Sequence, residues 1–381
     1  MRRLRAIAAL ALTLLASGGG LLPGEALAAE GDAVYVGGVE LRGSVSGPVY
    51  ATTDEGGNVT TSGAGEDSWN VKWDGSTLTL KDAYITGHVG DPTNLIFSAA
   101  IGVADSSGNA ELTIQLEGSN TVGAPTGVYV HASHGTATLV IKGGGSLTSS
   151  SSNLGIIVQS NSGDASLIIQ GADVEATVTR SSGQGVTVQA SRGSDASLTV
   201  EGGILTATGG GTSGSGILFI TNGAAAPRTS SLSVSGGALV DARGGGIQAG
   251  DGSSAQEVTP ASGSTGIVFD GGEGTVCGDV TLQDDLEIGA NESLTIPAGA
   301  SLTIPEGKLT VITGPNGGGK TTLAKIIAGI ETPRHAAEQH RRKRHGQSHP
   351  HVYVQLSGDT DAYGGPWFRL LRGDGSPVPW R

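Results

Sequence analysis

The chain has 381 residues and a formal charge of −13, with 66 glycines and only 15% charged residues. Glycine at this density makes helix interiors costly, which excludes a coiled coil and a helical bundle. Collagen is excluded because it needs glycine at every third position, and that period is absent. Simple disorder is disfavoured because Val, Ile and Leu recur in short blocks. The composition predicts a β-rich repeat architecture with many tight turns.

The charge is distributed unevenly along the chain. Residues 30–333 carry 11 basic and 30 acidic residues, whereas residues 334–381 carry eight basic and four acidic residues and five of the eight histidines. Phosphate contacts need clustered Lys and Arg, so we expect no nucleic acid among the partners. The single cysteine, Cys277, excludes an internal disulfide.

Residues 1–28 have the pattern of a signal peptide. Three arginines open the chain, an apolar run covers residues 6–16, and an Ala-x-Ala site ends at Ala28. The apolar run is too short for a membrane anchor. We therefore expect cleavage near Ala28 and a mature chain that is secreted or at the cell surface, without a transmembrane segment.

Residues 29–75 are predicted to form an N-terminal β cap, with hairpin strands over 32–39 and 69–73. A solenoid needs such a cap because its exposed end would otherwise pair with other sheet edges.

Two interleaved series of short apolar motifs mark a repeat over residues 76–270. Apolar triplets begin 27, 28, 31 and 34 residues apart, at Leu112, Leu139, Leu167, Leu198 and Leu232. Glycines followed by Val or Ile are 28, 30, 31 and 30 residues apart, at Gly127, Gly155, Gly185, Gly216 and Gly246. Leu78 and Gly102 start an earlier, less regular copy.

Each unit of about 30 residues holds three short strands, which is typical of one coil of a parallel β-helix. The predicted fold is all-β, a right-handed parallel β-helix; the alternative is a β-sandwich, which would not require this register between copies. Shorter β repeats are predicted for 271–308, where the sequence from Ser293 to Pro297 recurs from Ser301 to Pro305.

Three stretches carry a resemblance: SWNVKWDGSTLTLKDAYITG, ASLTVEGGILTATGG and SLTIPAGASLTIPEGK. Over about 30–308 the chain resembles secreted surface proteins of gut Firmicutes, with repeats similar to the clostridial β-helix carbohydrate-binding family. The resemblance implies an extracellular polysaccharide or a host or cell-surface glycan as partner. It also implies calcium in some members, without assigning metal residues here.

Residues 309–333 contain a complete Walker A motif between a β-branched strand and an amphipathic helical pattern. Backbone N–H groups of such a loop cradle phosphates, Lys320 would reach the β- and γ-phosphates, and the Thr321 hydroxyl would bind Mg²⁺. The candidate nucleotide-binding residues are Gly314, Pro315, Asn316, Gly317, Gly318, Gly319, Lys320, Thr321 and Thr322.

Residues 307–333 closely resemble the Walker A segment of ATP-binding cassette ATPases, which implies ATP and Mg²⁺ as cofactors. The rest of the chain departs from the family pattern. No Walker B strand follows, and the sequence Leu356-Ser357-Gly358 begins like the signature motif but then diverges from it. Gln355 faintly resembles a Q-loop glutamine. The segment is therefore read as a truncated fragment, joined near Gly307 by a composite gene model or by a genuine fusion.

Residues 334–381 are predicted to be a disordered basic tail. Their histidines are irregularly spaced and lack a cysteine partner, which favours a solvated tail over a metal site.

Three functions follow from these motifs. The first is non-enzymatic polysaccharide binding or adhesion by the β-helix, with no catalytic residue. The second is ATP binding through Gly314–Thr321, with hydrolysis not expected. The third is a polysaccharide lyase or hydrolase, which needs clustered carboxylates or a basic residue on one face. Turn and surface roles are the better interpretation of its candidates, Asp164, Arg180, Arg192 and Asp195.

Overall fold

The computed structural model describes residues 33–43, 47–88, 98–192, 194–211, 213–222, 229–250, 255–256, 258–283, 286, 288, 292–304 and 354–356. These residues form 28 strands and no α-helix. Accordingly, this part of the chain contains no helix with the length and apolar character needed to span a bilayer.

The strands fall into three groups along the chain. The cap contains β1 Ala33–Val36, β2 Val39–Arg42, β3 Val49–Thr53, β4 Val59–Thr60, β5 Val71–Trp73, β6 Thr77–Lys81 and β7 Tyr84–Ile85. The coils contain β8 Ala99–Asp105, β9 Ala110–Glu117, β10 Ser119–Val122, β11 Thr126–Ala132, β12 Ala137–Lys142, β13 Ser146–Ser151, β14 Leu154–Ser160, β15 Ala165–Val178, β16 Gln184–Ser191, β17 Ala196–Thr208, β18 Ile217–Asn222, β19 Ser230–Ser235, β20 Ala238–Arg243 and β21 Ile247–Gly250. The remainder are β22 Ala255–Gln256, β23 Gly266–Asp270, β24 Glu273–Cys277, β25 Asp279–Thr281, β26 Ser293–Thr295, β27 Ser301–Ile304 and β28 Val354–Leu356.

The coils make a parallel β-solenoid of about five turns. Each coil contributes one strand to a nine-stranded sheet and then crosses to a sixteen-stranded sheet. There it forms two short strands or one long strand, as in β15, where Gly171 takes a φ of +62° between the two halves. Parallel pairing between equivalent strands of successive coils confirms the β-helix and excludes the β-sandwich.

The predicted register of the apolar triplets is confirmed residue by residue. Parallel pairing places the five leucines directly opposite one another, in the order Leu112, Leu139, Leu167, Leu198 and Leu232. All five are at most 2% exposed. Because strand side chains alternate between faces, the third triplet residue also points inward and extends the same buried column. Each fully buried aliphatic side chain contributes roughly 1.5–3 kcal/mol.

The glycine series forms a second ladder at the corner where each coil enters the nine-stranded sheet. Gly155 stacks between Gly127 and Gly185, and a Cβ at Gly155 would collide with the Gly185 carbonyl oxygen. A Cβ at Gly185 would lie 2.8 Å from the carbonyl oxygen of Gly216. The close approach of neighbouring backbones therefore requires glycine at these positions.

The earlier copy is less regular, as predicted, because its pairing is offset. Leu78 pairs with Ile114 and not with Leu112, and Gly102 pairs with Tyr129, two residues beyond the glycine ladder. Both offsets are two residues, which preserve the inward or outward direction of a side chain and so leave the hydrophobic pattern unchanged.

The cap is built differently from the coils. Its first hairpin, β1–β2, and the run β3–β5–β6 are antiparallel, and β6 then pairs in parallel with β9 of the first coil. Trp73 is 2% exposed beneath this cap. Asn120 joins the cap to the coils, because its side chain accepts from the Ala83 N–H at 2.9 Å and donates to the carbonyls of Glu117 and Ser146.

After the coils, β23 pairs in parallel with β20 and turns back into the antiparallel hairpin β23–β24. The two copies of the Ser-Leu-Thr-Ile-Pro repeat enter different sheets: β26 pairs with β24, and β27 pairs with β25. Within the predicted tail, the structure describes β28, which pairs in parallel with β27.

Candidate functional site

The candidate nucleotide-binding residues, Gly314 to Thr322, lie outside the described residues, as do the histidines of the tail. The predicted signal peptide, residues 1–28, also lies outside them. The site described below is therefore on the solenoid and its cap.

The carboxylates of the acidic candidates for catalysis accept hydrogen bonds from backbone N–H groups at one corner of the coils. An Asp164 carboxylate oxygen accepts from the Asp195 N–H at 3.0 Å, and an Asp195 carboxylate oxygen accepts from the Thr229 N–H at 2.8 Å. The Arg180 guanidinium donates to the Asn153 side chain at 2.9 Å, and Arg192 lies in a turn with a φ of +60°. The structure gives these four residues roles in the corners of the coils and does not bring them together as a catalytic group.

The outer face of the nine-stranded sheet carries a small apolar cluster. Tyr129 and Ile157 point outward there, yet they are only 5% and 4% exposed. Burial raises the pKa of Tyr129 to about 12, and partial burial lowers the pKa of His131, which stacks on Tyr129 at a centroid distance of 5.7 Å. The face is therefore poorly accessible around Tyr129, whereas the outward side chains of Gln159 and Gln189 are partly exposed.

The outer face of the sixteen-stranded sheet is different, because one line of polar side chains runs across it from the cap to the fifth coil. Successive pairings connect these residues without a gap. We call this line the polar column: Tyr50, Lys72, Thr79, Gln115, Lys142, Gln170, Glu201 and Ser235. Neighbouring strands lie about 4.8 Å apart, so the column is about 34 Å long.

The register explains why the column is continuous. Five of its residues each immediately follow an apolar triplet, at an outward position of the strand. One adjacent pair bonds directly, because the Gln170 amide donates to a Glu201 carboxylate oxygen at 2.9 Å. A regular fold thus generates a regular row of hydrogen-bonding groups.

An aromatic and basic group stands at the cap end of the polar column. The Lys72 and Lys81 ammonium nitrogens lie 5.0 and 5.8 Å from the ring centroid of Trp69, within the range of a cation–π interaction. Tyr50 lies 6.1 Å from the same ring, tilted by 47°. We call these four residues the tryptophan cluster. Trp69 and Tyr50 are partly exposed.

Among the residues that the structure describes, the lysines near the column have no carboxylate within ion-pair distance. Over the described ranges there are two ion pairs, which use Arg42 and Arg243, and neither involves a lysine. The nearest cross-strand acid to Lys81 is Glu117, which faces it on β9. The described residues also contain no group of three or more His, Cys, Asp or Glu side chains suited to a metal ion.

Reading the sequence alone missed this site. The signal was present, because aligning the triplets brings the following residues Gln115, Lys142, Gln170 and Glu201 into one line. The contribution of the cap could not be found in this way, since Lys72 and Tyr50 lie on antiparallel strands outside the repeat period.

The family model for the ABC transporter matches residues 298–355. The matched segment extends beyond the predicted fragment on both sides, and it contains β27 and most of β28, which pair in parallel with Leu302 opposite Val354. The match covers 58 of 381 residues and so concerns this segment and not the chain as a whole. No curated protein and no solved structure matches the chain.

Proposed function

We propose that the solenoid is an exported, non-enzymatic binding protein that holds an extended polysaccharide along the polar column. The observation that carries the proposal is the unbroken register from Tyr50 to Ser235, in which every member except the buried Thr79 is partly or fully exposed. A polymer lying across the coils would meet a hydrogen-bonding side chain at each step of about 4.8 Å. Many weak contacts to one polysaccharide chain raise the overall affinity, because each bound sugar holds the next one at a high effective concentration.

The tryptophan cluster supports the same ligand. Partly exposed aromatic rings provide large, rigid and amphipathic contact surfaces, on which the C–H face of a sugar ring can stack. Exposed glutamine, lysine and serine side chains of the column then bond to the hydroxyl groups of the following sugars. The resemblance over 30–308 favours the same ligand class.

Retention of the full chain on insoluble plant polysaccharides and on mucin, with calcium or with a chelator, tests this function. We expect retention by the native protein and a loss of about tenfold in affinity for Trp69→Ala. Tyr35→Ala provides the control, because Tyr35 is a partly exposed tyrosine on β1 of the other sheet. Absence of retention on every polysaccharide tested would refute the proposal.

The family match supports a second candidate function, ATP binding through Gly314–Thr321. The test is protection of Lys320 from chemical modification by millimolar ATP and Mg²⁺, with Lys325 of the same chain as the internal control. Lys320→Ala should abolish the protection. Equal modification of both lysines with and without nucleotide would exclude this candidate.

A further inference from the structure

A small apolar pocket lies at the far end of the polar column, where β17 and β20 meet the segment that follows β25. Five aliphatic side chains and one amide line it: Ile204, Leu239, Ile267, Leu282, Leu286 and Gln283. Its volume is about 20 Å³, which is room for one group the size of a water or a methyl. The pocket therefore accepts a substituent of a ligand and not a whole sugar ring.

The pocket arises where a line of outward side chains changes from polar to apolar. Along the second half of the long strands, pairing aligns Ser146, Asp173, Ile204, Leu239 and Ile267. The hydrophobic cluster that follows the coils covers Ile267, which is 1% exposed. Ile204 and Leu239 stay partly exposed, so an apolar wall is left open beside the column.

Gln283 supplies the one polar side chain of this lining, and it is exposed. Its Cγ lies beside Gly237, where a Cβ would be 3.4 Å away, and its Nε2 donates to the Thr281 carbonyl oxygen at 3.1 Å. The Oε1 atom has no donor among the residues that the structure describes. An N–H group of a ligand can therefore bind at this oxygen.

We infer that this pocket selects a polysaccharide whose sugars carry acetamido groups. The inference rests on the proposed function and names its ligand class. The methyl of one acetamido group fills the space between Ile204 and Leu239, and its N–H donates to Gln283 Oε1. A hydroxyl substituent brings no methyl to the pocket, and an acetyl ester brings the methyl without the N–H donor.

The pocket lies within reach of a sugar on the polar column. Gly203 and Gly237 also line it, and they follow the column members Glu201 and Ser235 by two residues each. Two residues of extended chain span at most about 7 Å, so a substituent of a sugar bound at the end of the column reaches the pocket. The face suits a neutral polymer, because lysines and glutamates both stand outward on it.

Titration of the full chain with chitohexaose and with cellohexaose tests the inference, because both are neutral, share one backbone and differ in the acetamido group. We expect about tenfold tighter binding of chitohexaose, from one buried methyl and one hydrogen bond. Gln283→Met removes the acceptor and Ile204→Thr removes part of the apolar wall. Each variant should reduce the preference to about threefold or less.

The matched controls lie on the nine-stranded sheet. Gln184 donates to the carbonyl oxygen two residues before it, as Gln283 does, and Ile220 is a partly exposed isoleucine on β18. Gln184→Met and Ile220→Thr should both keep the full preference for chitohexaose.

The outcomes separate the ligand class from the function. Equal affinity for the two oligosaccharides overturns the acetamido class and leaves polysaccharide binding intact. A full preference in either pocket variant, or an equal loss of preference in its control, also overturns the site. Failure of the full chain to bind either oligosaccharide and every polysaccharide tested overturns both the inference and the proposed function.

Discussion

The cap and the coils differ in the side chains that they carry and bury. In the described part of the cap, residues 33–88, five aromatic side chains occur, Tyr35, Tyr50, Trp69, Trp73 and Tyr84, whereas the coils over 98–250 have two, Tyr129 and Phe219. A coil is covered by coils on both sides, so small aliphatic residues at a fixed period bury one another. The cap has a neighbour on one side only. Its Trp73 is buried on the antiparallel strand β5, whereas the other four rings stay partly or fully exposed.

The largest expected effect tests whether the cap ends the stack. Trp73→Ala should destabilise the protein by about 3–5 kcal/mol, and the matched coil change Leu167→Ala by about 2–5 kcal/mol. If the cap protects the first coil from edge pairing, only the cap variant should also self-associate. Denaturant unfolding gives the stabilities, and sedimentation gives the association. Equal association of both variants would contradict the protective role of the cap.

A smaller effect tests the backbone contacts that the coils depend on. Gly155→Ala places a methyl group against the Gly185 carbonyl and should cost about 1–3 kcal/mol. Gly144→Ala is the control, because a Cβ there meets open space, and its stability should lie within about 0.5 kcal/mol of the native value. Thermal unfolding followed by circular dichroism compares the two. Similar losses for both substitutions would show that crowding at the ladder is not the cause.

The junction between the two regions depends on Asn120, which is 1% exposed. Asn120→Ala leaves the Ala83 N–H without its acceptor and should cost about 1–3 kcal/mol. Hydrogen exchange should then increase in the cap strands β6 and β7 more than in β14 and β16. The exposed Asn109→Ala, which removes one bond to the Thr136 N–H, should leave the cap protected. Uniform exchange across the cap and coils in Asn120→Ala would argue against a role specific to the junction.

The smallest effect concerns a corner carboxylate in the first coil. Hydrogen bonds from the Ser107 backbone N–H and then from Gly108 lower the pKa of Asp105 below its usual 3.8. The carboxylate form is thus favoured in the folded state, so its contribution is present above about pH 4 and is lost as the pH falls further. Asp105 is largely solvated, which keeps the contribution below about 1 kcal/mol.

Comparing melting temperatures at pH 7 and pH 2.5 isolates this contribution. Asp105→Asn should reduce the loss of stability on acidification, whereas Glu111→Gln, at an exposed position of β9, should not. An unchanged acid response in Asp105→Asn would mean that other groups control it.

The register of the coils could be predicted because every apolar triplet has the same burial pattern. The pairing of Leu139 with Leu167 therefore follows from the spacing of the triplets alone. The register of the first copy could not, since Leu78 belongs to a strand that also pairs with the antiparallel cap and lies opposite Ile114, two residues beyond Leu112. The polar column is visible in the sequence only after the strands are aligned. The tryptophan cluster depends on contacts across antiparallel strands, which have no periodic signal.

The columns keep their register although the leucine spacing varies from 27 to 34 residues, so the additional residues are absorbed at the corners. A coil is therefore a structural unit that can be added without changing the register of its neighbours. A tandem copy of residues 154–183, inserted between Asn153 and Leu154, would carry its own leucine, its own glycine and its own Gln170. The molecule would become longer by about 4.8 Å, and the polar column would gain one member without any change to an existing contact surface.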